Sequence, residues 1–174
     1  MLTRAELMLV LLAQQGDRAA LNSLLEIVSP RLHHYIRGIL SSEASDAEDV
    51  LQETLLRIAR KLSWLEEPQA FEGWIYRIAS RETYRALSRA DRRLADDPID
   101  ENLQASDLSL PDAGPNLLSK VLEDVSPASR AVLLLHYEHD RTLEEIAGIL
   151  TIPLGTVKSR LAYGLKCLRE KVEG

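Results

Sequence analysis

The sequence predicts an all-α protein built as two small helical domains joined by an acidic linker. Three observations carry this: S/T-x-x-E capping boxes at three places, apolar residues recurring at helical rather than strand spacing, and one abrupt change of composition between residues 94 and 117. The length of 174 residues and the apolar fraction of 45% are those of one ordinary globular domain or two small ones. No apolar run approaches the roughly 20 residues that cross a bilayer, and the stretch MLTRAELMLVLLAQQGDR lacks a cationic leader and a cleavage site. The expectation is a cytoplasmic protein with no direct membrane insertion. A single cysteine, Cys167, excludes an internal disulfide.

Taken in order, Thr3 with Glu6 opens a helix expected over Ala5 to Gln15. A second helix is expected from Ala19 to Leu40 with a break near Pro30, because proline removes an N–H and clashes with the preceding turn. Ser45 with Glu48 opens a third. In it Val50, Leu51, Thr54, Leu55, Ile58 and Leu62 form an apolar stripe, with Asp49, Gln52, Glu53, Arg57 and Arg60 opposite. A fourth is expected across Phe71 to Arg89.

Charge then divides the chain. Thirteen basic and thirteen acidic residues cancel over 1–93, and eight of each cancel over 118–174. Residues 94–117 hold six carboxylates, three prolines and no lysine or arginine, and so carry the whole net charge of −6. That segment reads as a flexible linker between a domain at 1–93 and another at 118–174. In the second domain, Ser126-Pro127 starts a helix, Thr142 with Glu145 caps LEEIAGIL, and a last helix begins near Pro153 or Leu154. Ile146, Ala147 and Leu150 would face Val157, Leu161, Leu165 and Leu168 across the turn TIP, which is helix-turn-helix spacing. Thr151 stands where such turns often place glycine.

Two surfaces are candidates for nucleic acid. Arg77, Arg81, Arg85, Arg89 and Arg93 recur every fourth residue and trace a slowly winding strip along the fourth helix, displaced about 40° per step. Phe71, Trp74, Ile75, Ile78 and Ala79 supply the apolar side near its start, Tyr76 and Tyr84 interleave with the cations, and only Glu82 and Asp91 offset six arginines between Trp74 and Arg93. Guanidinium groups grip phosphates bidentately and exposed rings stack on unpaired bases; the plain alternative is a solvated charged face. The last helix presents Thr156, Lys158, Ser159, Arg160 and Tyr163 near its N-terminal end, where a recognition helix enters the major groove. His136 and His139, even with Cys167, and the pair His33-His34 read as packing or surface residues rather than metal ligands. The chain has no glycine-rich phosphate loop and no nucleophile elbow, so neither cofactor nor catalytic activity is expected.

The segment SDAEDVLQETLLRIARKLSWLEEPQAFEGWIYRIA resembles the polymerase-binding and promoter-melting region of bacterial RNA polymerase sigma factors of the extracytoplasmic-function group, in the sigma-70 family. TLEEIAGILTIPLGTVKSRLAYGLKCLRE resembles their C-terminal promoter-reading helix-turn-helix, in the family's order. The resemblance implies that Asp46, Asp49, Gln52, Glu53 and Arg57 dock on a coiled coil of core RNA polymerase. It implies that Trp74, Arg77, Arg81, Tyr84, Arg85 and Arg89 open the downstream promoter element and hold its unpaired strand, and that Thr156, Lys158, Ser159, Arg160 and Tyr163 meet the upstream element. It further implies control by an anti-sigma factor. Many members carry asparagine and aspartate where this chain has Arg81 and Arg85, so the family's downstream consensus does not transfer. The alternatives are a LuxR-like regulator, binding operators as a dimer without polymerase, and a helical adaptor that binds only proteins.

Overall fold

The computed structural model describes residues 2–40, 44–90 and 125–173. The acidic segment 94–117 and Arg93 lie outside them. Seven α-helices make up the described residues: α1 (Arg4–Gln14), α2 (Arg18–Leu40), α3 (Ala44–Lys61), α4 (Phe71–Ala90), α5 (Pro127–Tyr137), α6 (Leu143–Leu150) and α7 (Leu154–Glu173). Short 3-10 turns at Leu62–Trp64 and Pro68–Ala70 connect α3 to α4.

Two of the capping boxes form as written. Thr3 N–H donates to the Glu6 carboxylate at 2.8 Å while Glu6 N–H donates to Thr3 Oγ1 at 3.1 Å, and Thr142 and Glu145 repeat the exchange at 2.8 and 3.2 Å. Each box satisfies two donors that a helix start leaves orphaned. The third expectation differs, because α3 begins at Ala44 and places Ser45 inside its first turn. Asp17 caps α2 instead of a hydroxyl residue, its Oδ1 accepting from Ala19 and Ala20 N–H at 2.9 and 3.0 Å.

The expected break at Pro30 is absent: α2 runs unbroken through it. Pro30 is exposed, and Leu24, Val28, Leu32, Tyr35, Ile36 and Ile39 keep one fully buried stripe on both sides of it. Burying each such side chain is worth about 1.5–3 kcal/mol, together well above the ~3 kcal/mol that an internal proline costs. Tertiary burial therefore overrides the local breaker.

The two halves meet along α2 and α4. α5 lies on α2 and α6 lies on the first turns of α4, so residues from both halves join one hydrophobic core. Gly38 permits the α2–α5 approach, since a Cβ there would stand 2.6 Å from Leu134 Cδ1. Nearby, Arg130 is buried and donates to the carbonyls of Val125 and Ile39 at 2.6 and 2.9 Å. A cation at the last turn of α2 suits the negative end of its dipole.

Aromatic rings fill the centre of the contact. Tyr35 and Tyr76 meet edge to face at 5.2 Å, and His139, from the α5–α6 connection, lies 4.6 Å from Tyr76. Tyr35 OH pairs with Ser80 Oγ at 2.8 Å and Tyr76 OH with His139 Nδ1 at 3.0 Å. Burial raises the Tyr76 phenol to about 12 and, with His34, Arg141 and Arg31 nearby, lowers His139 to about 4. Tyr76 thus keeps its proton and the imidazole stays neutral.

The α6–α7 turn is helix-turn-helix in form. Thr151 ends α6 in the left-handed conformation, with φ 59° and ψ 46°, and Ile152 N–H donates back to Ala147 O at 3.1 Å. Glycine would adopt this conformation without the steric cost borne by a β-branched residue.

Three outcomes follow. Thr151→Gly should stabilise the chain by roughly 1 kcal/mol, raising Tm by about 2–4 °C in a thermal melt. Gly38→Leu should overpack the α2–α5 contact at a cost of about 1–3 kcal/mol, seen as a lowered Tm together with a larger radius in solution scattering. Because the packed chain holds His139 below its ordinary value of 6.5, it binds fewer protons than a chain with that ring exposed. The packing should be fully stable above pH 6.5 and weaken as pH falls toward 4. Glu6 and Glu72 are held below 4.5 and titrate beneath most of that window, so His139→Gln should flatten the decline between pH 6.5 and 4.5 in pH-resolved melts.

Candidate nucleic-acid interface

The arginine strip on α4 is divided by what its members touch. Arg81 and Arg89 are exposed and form no ion pair among the described residues. Arg85 NH1 donates to Glu82 Oε1 at 2.8 Å. Arg77 NH2 donates at 2.8 Å to the carbonyl of Gly148 on α6, so the first arginine is held by the helix-turn-helix half. Trp74 is half-buried, 6.2 Å from Phe71 in a tilted stack. With Arg77, Gly148 and Ile149 it lines a cleft of about 420 Å³ between α4 and α6. Tyr84 is half-buried. Tyr76, expected to interleave with the cations as an exposed ring, is 1% exposed and belongs to the core, because its position faces α2 and the α5–α6 connection rather than solvent.

Beside that cleft, Glu72 on α4 bridges the halves. It accepts from Arg31 of α2 at 3.4 Å and from Arg141 ahead of α6 at 2.5 Å. Arg31 also reaches Glu6 at 3.2 Å, and Arg141 reaches Glu145 at 3.5 Å. Burial alone would raise the Glu72 carboxyl, but the hydrogen bond and charge of Arg141, together with the charge of the chain's amino terminus, hold the group below its usual range.

On α3, Asp49 and Gln52 are exposed on the side away from Val50, Thr54 and Ile58. Asp46 lies in the first turn of the same helix. Glu53 and Arg57 are joined, Arg57 Nε donating to Glu53 at 2.9 Å and to Glu82 of α4 at 3.0 Å. The acidic face of α3 and the cationic strip of α4 thus share a groove of about 390 Å³, with Asp49 and Glu53 on one wall and Arg85 and Arg89 on the other.

On α7, Val157, Leu161, Leu165 and Leu168 are buried, which turns Lys158 fully outward and leaves Thr156, Arg160 and Tyr163 half-exposed. Ser159 is likewise half-exposed. Its hydroxyl donates back to the carbonyls of Gly155 and Thr156 at 3.2 and 3.1 Å, a local bond available to a serine on any helix.

Three residues gain importance only in the structure. Glu72 and Glu82 each hold two arginines, although in sequence Glu82 reads as a mere offset to the strip and Glu72 carries no signal. Trp64, in the turn after α3, is 75% exposed, the most open large apolar side chain among the described residues. Its sequence signal is a tryptophan outside the apolar period of α3.

Comparison with known proteins bears on the same elements. The family model for sigma-70 region 2 matches residues 24–93 and that for sigma-70 region 4 matches residues 121–170. The extracytoplasmic-function RNA polymerase sigma factor SigE of Mycolicibacterium smegmatis is 32% identical over 169 residues, which take in 89% of this chain and 63% of that one. The extracytoplasmic-function sigma-E factor of Haemophilus influenzae is 28% identical and covers 92% of this chain and 91% of its own. Among solved structures, CnrH in complex with the cytosolic domain of CnrY superposes with a TM-score of 0.68 at 19% identity, covering 97% of both chains. The sigma factor RpoE of Bartonella quintana, in complex with the anti-sigma factor NepR, gives 0.67 at 23%, covering 87% of this chain and 96% of its own. At those identities the two structures speak for the fold. With region 2 falling on α2–α4 and region 4 on α5–α7, in that order, the chain belongs to the sigma-70 family of RNA polymerase sigma factors, in its extracytoplasmic-function group.

Proposed function

We propose that this chain is a dissociable specificity subunit that binds core RNA polymerase, directs it to promoters and promotes strand opening. The observation that carries the proposal is the matched pair of sigma regions, each ending in a helix that bears outward cations: Arg81 and Arg89 on α4, Lys158 on α7. In this reading residues 1–93 form the polymerase-binding and downstream-element domain, 94–117 the tether and 118–174 the upstream-element domain. Asp46, Asp49, Gln52, Glu53 and Arg57 dock on a basic helix of the polymerase, where complementary charge fixes register. Trp74, Arg77, Arg81, Tyr84, Arg85 and Arg89 take the unpaired strand, guanidinium groups on phosphates and rings against bases. Thr156, Lys158, Ser159, Arg160 and Tyr163 meet the duplex of the upstream element.

The chain performs no chemistry of its own and steers that of the polymerase. None of the described helices is long and apolar enough to cross a membrane, which suits action on DNA in the cytoplasm. The chain carries a net charge of −6, so it neutralises few phosphates by itself and binds duplex DNA weakly without polymerase. In the packed arrangement Arg77 is engaged by Gly148 and Trp74 faces α6. Strand capture by these two residues requires α6 to leave α4, and the packed form is the resting one. An anti-sigma factor, the partner named for the Bartonella relative, would regulate the chain by holding or covering these faces. A LuxR-like operator-binding regulator needs no polymerase-docking domain, and the region 2 match over residues 24–93 leaves it without support.

Run-off transcription with purified core enzyme and genomic promoter fragments should show initiation that depends on this chain; absence of any stimulation would overturn the proposal. Arg160→Ala should weaken discrimination at the upstream element by the ~1–3 kcal/mol typical of a base-reading arginine, measured by holoenzyme binding to matched and mutated fragments. Asp49→Asn should lower affinity for core polymerase by roughly fivefold or more while leaving DNA preference unchanged. Equal effects of both variants in both assays would contradict the division of roles.

A further inference from the structure

Glu82 is the feature that the proposed roles leave unexplained. It is 7% exposed, sits on α4 inside a strip of arginines, and its Oε1 accepts from both Arg57 of α3, at 3.0 Å, and Arg85 of α4, at 2.8 Å. Arg57 in turn donates to Glu53 at 2.9 Å. The result is a line of alternating charge, Glu53, Arg57, Glu82 and Arg85, that runs from the proposed polymerase-docking face to the proposed strand-binding strip. Its two ends differ in exposure from its middle: Glu53 and Arg85 side chains are 45% and 53% exposed, against 32% for Arg57 and 7% for Glu82.

Such a line has competing bonds. One carboxylate oxygen serves two guanidinium groups, and one guanidinium nitrogen serves two carboxylates, so strengthening any link weakens the next. A basic group of the polymerase that draws Glu53 outward leaves Arg57 to Glu82 alone. Glu82 then holds Arg85 less firmly, and Arg85 is free to take a phosphate. Run in reverse, a phosphate on Arg85 releases Glu82 to Arg57 and frees Glu53 for the polymerase. Linkage requires the two effects to be equal in size.

We propose that Glu82 is a positioning residue that couples polymerase docking at Glu53 to strand capture at Arg85 through Arg57. The proposal rests on the sigma-factor assignment of those two faces and adds the link between them. It also accounts for the departure from the family at position 85, since an arginine there finds its carboxylate three residues earlier on the same helix.

The test measures the factor by which DNA tightens the affinity of the full chain for core polymerase, using a promoter fragment obtained by run-off transcription whose downstream element is held open by mismatches. The coupling should fall between about twofold and tenfold in Glu53→Gln, the range expected for members of one ion-pair network. It should fall to a similar extent in Glu82→Gln, and Glu53→Gln should cause no further fall once residue 82 is glutamine. A purely structural role for Glu82 would lower affinities without making the coupling depend on Glu53, and that outcome overturns the proposal. Should Glu82→Gln fail to fold, Arg57→Gln cuts the same line at a more exposed link and must abolish the dependence on Glu53 as well. Unchanged affinity of Glu53→Gln for core polymerase without DNA would remove the docking assignment itself, and the relay with it. A normal loss of docking affinity with unchanged coupling would remove the relay alone.

Discussion

Burial of α4 on two sides is the constraint from which the rest of the arrangement follows. One side of this helix packs on α2 and α3 through Phe71, Ile75, Tyr76 and Ala79, all 1% exposed or less. The first turns also receive α6, with Ile149 against Gly73. A helix enclosed in this way has little surface left for function, and what remains is the flank carrying Arg81, Arg85 and Arg89. The cationic strip and the hydrophobic core are therefore two consequences of one packing decision. The aromatic cluster of Tyr35, Tyr76 and His139 makes that decision cooperative between the halves, because Tyr35 OH of α2 pairs with Ser80 of α4 and Tyr76 OH of α4 pairs with His139 of the α5–α6 connection.

Within this frame, buried carboxylates decide which arginines are available. Glu72 and Glu82 each accept from two guanidinium groups and each sits largely out of water. Removing one member of such a cluster leaves a charge without its partner, which costs more than the few tenths of a kcal/mol that an exposed pair is worth. The two acids divide the work. Glu72 ties α4 to the helix-turn-helix half through Arg141, while Glu82 ties it to α3 through Arg57. Arg81 and Arg89, which neither acid reaches, are the cations left for a ligand.

The surfaces proposed for polymerase docking, strand capture and duplex reading lie on three helices that one core holds together. The third, α7, presents its outer face away from α4, whereas the start of α4 is covered by α6. The packed chain thus covers part of one proposed DNA surface and leaves the other open.

Much of this was legible from residue order alone. Seven helices, two of three capping boxes, the helix-turn-helix with its glycine-like position at Thr151, and the polar face of α3 are matters of spacing and local hydrogen bonding, which a linear sequence records directly. What sequence could not decide depended on which neighbours arrive from far along the chain. Pro30 breaks no helix because six buried side chains outweigh it, Tyr76 leaves the strip for the core because His139 comes to meet it, and Arg77 is occupied because Gly148 offers a carbonyl. Capping and spacing mark where most helices start; only the tertiary packing determines whether a local breaker acts, which polar groups are used within the fold and which are left for a partner.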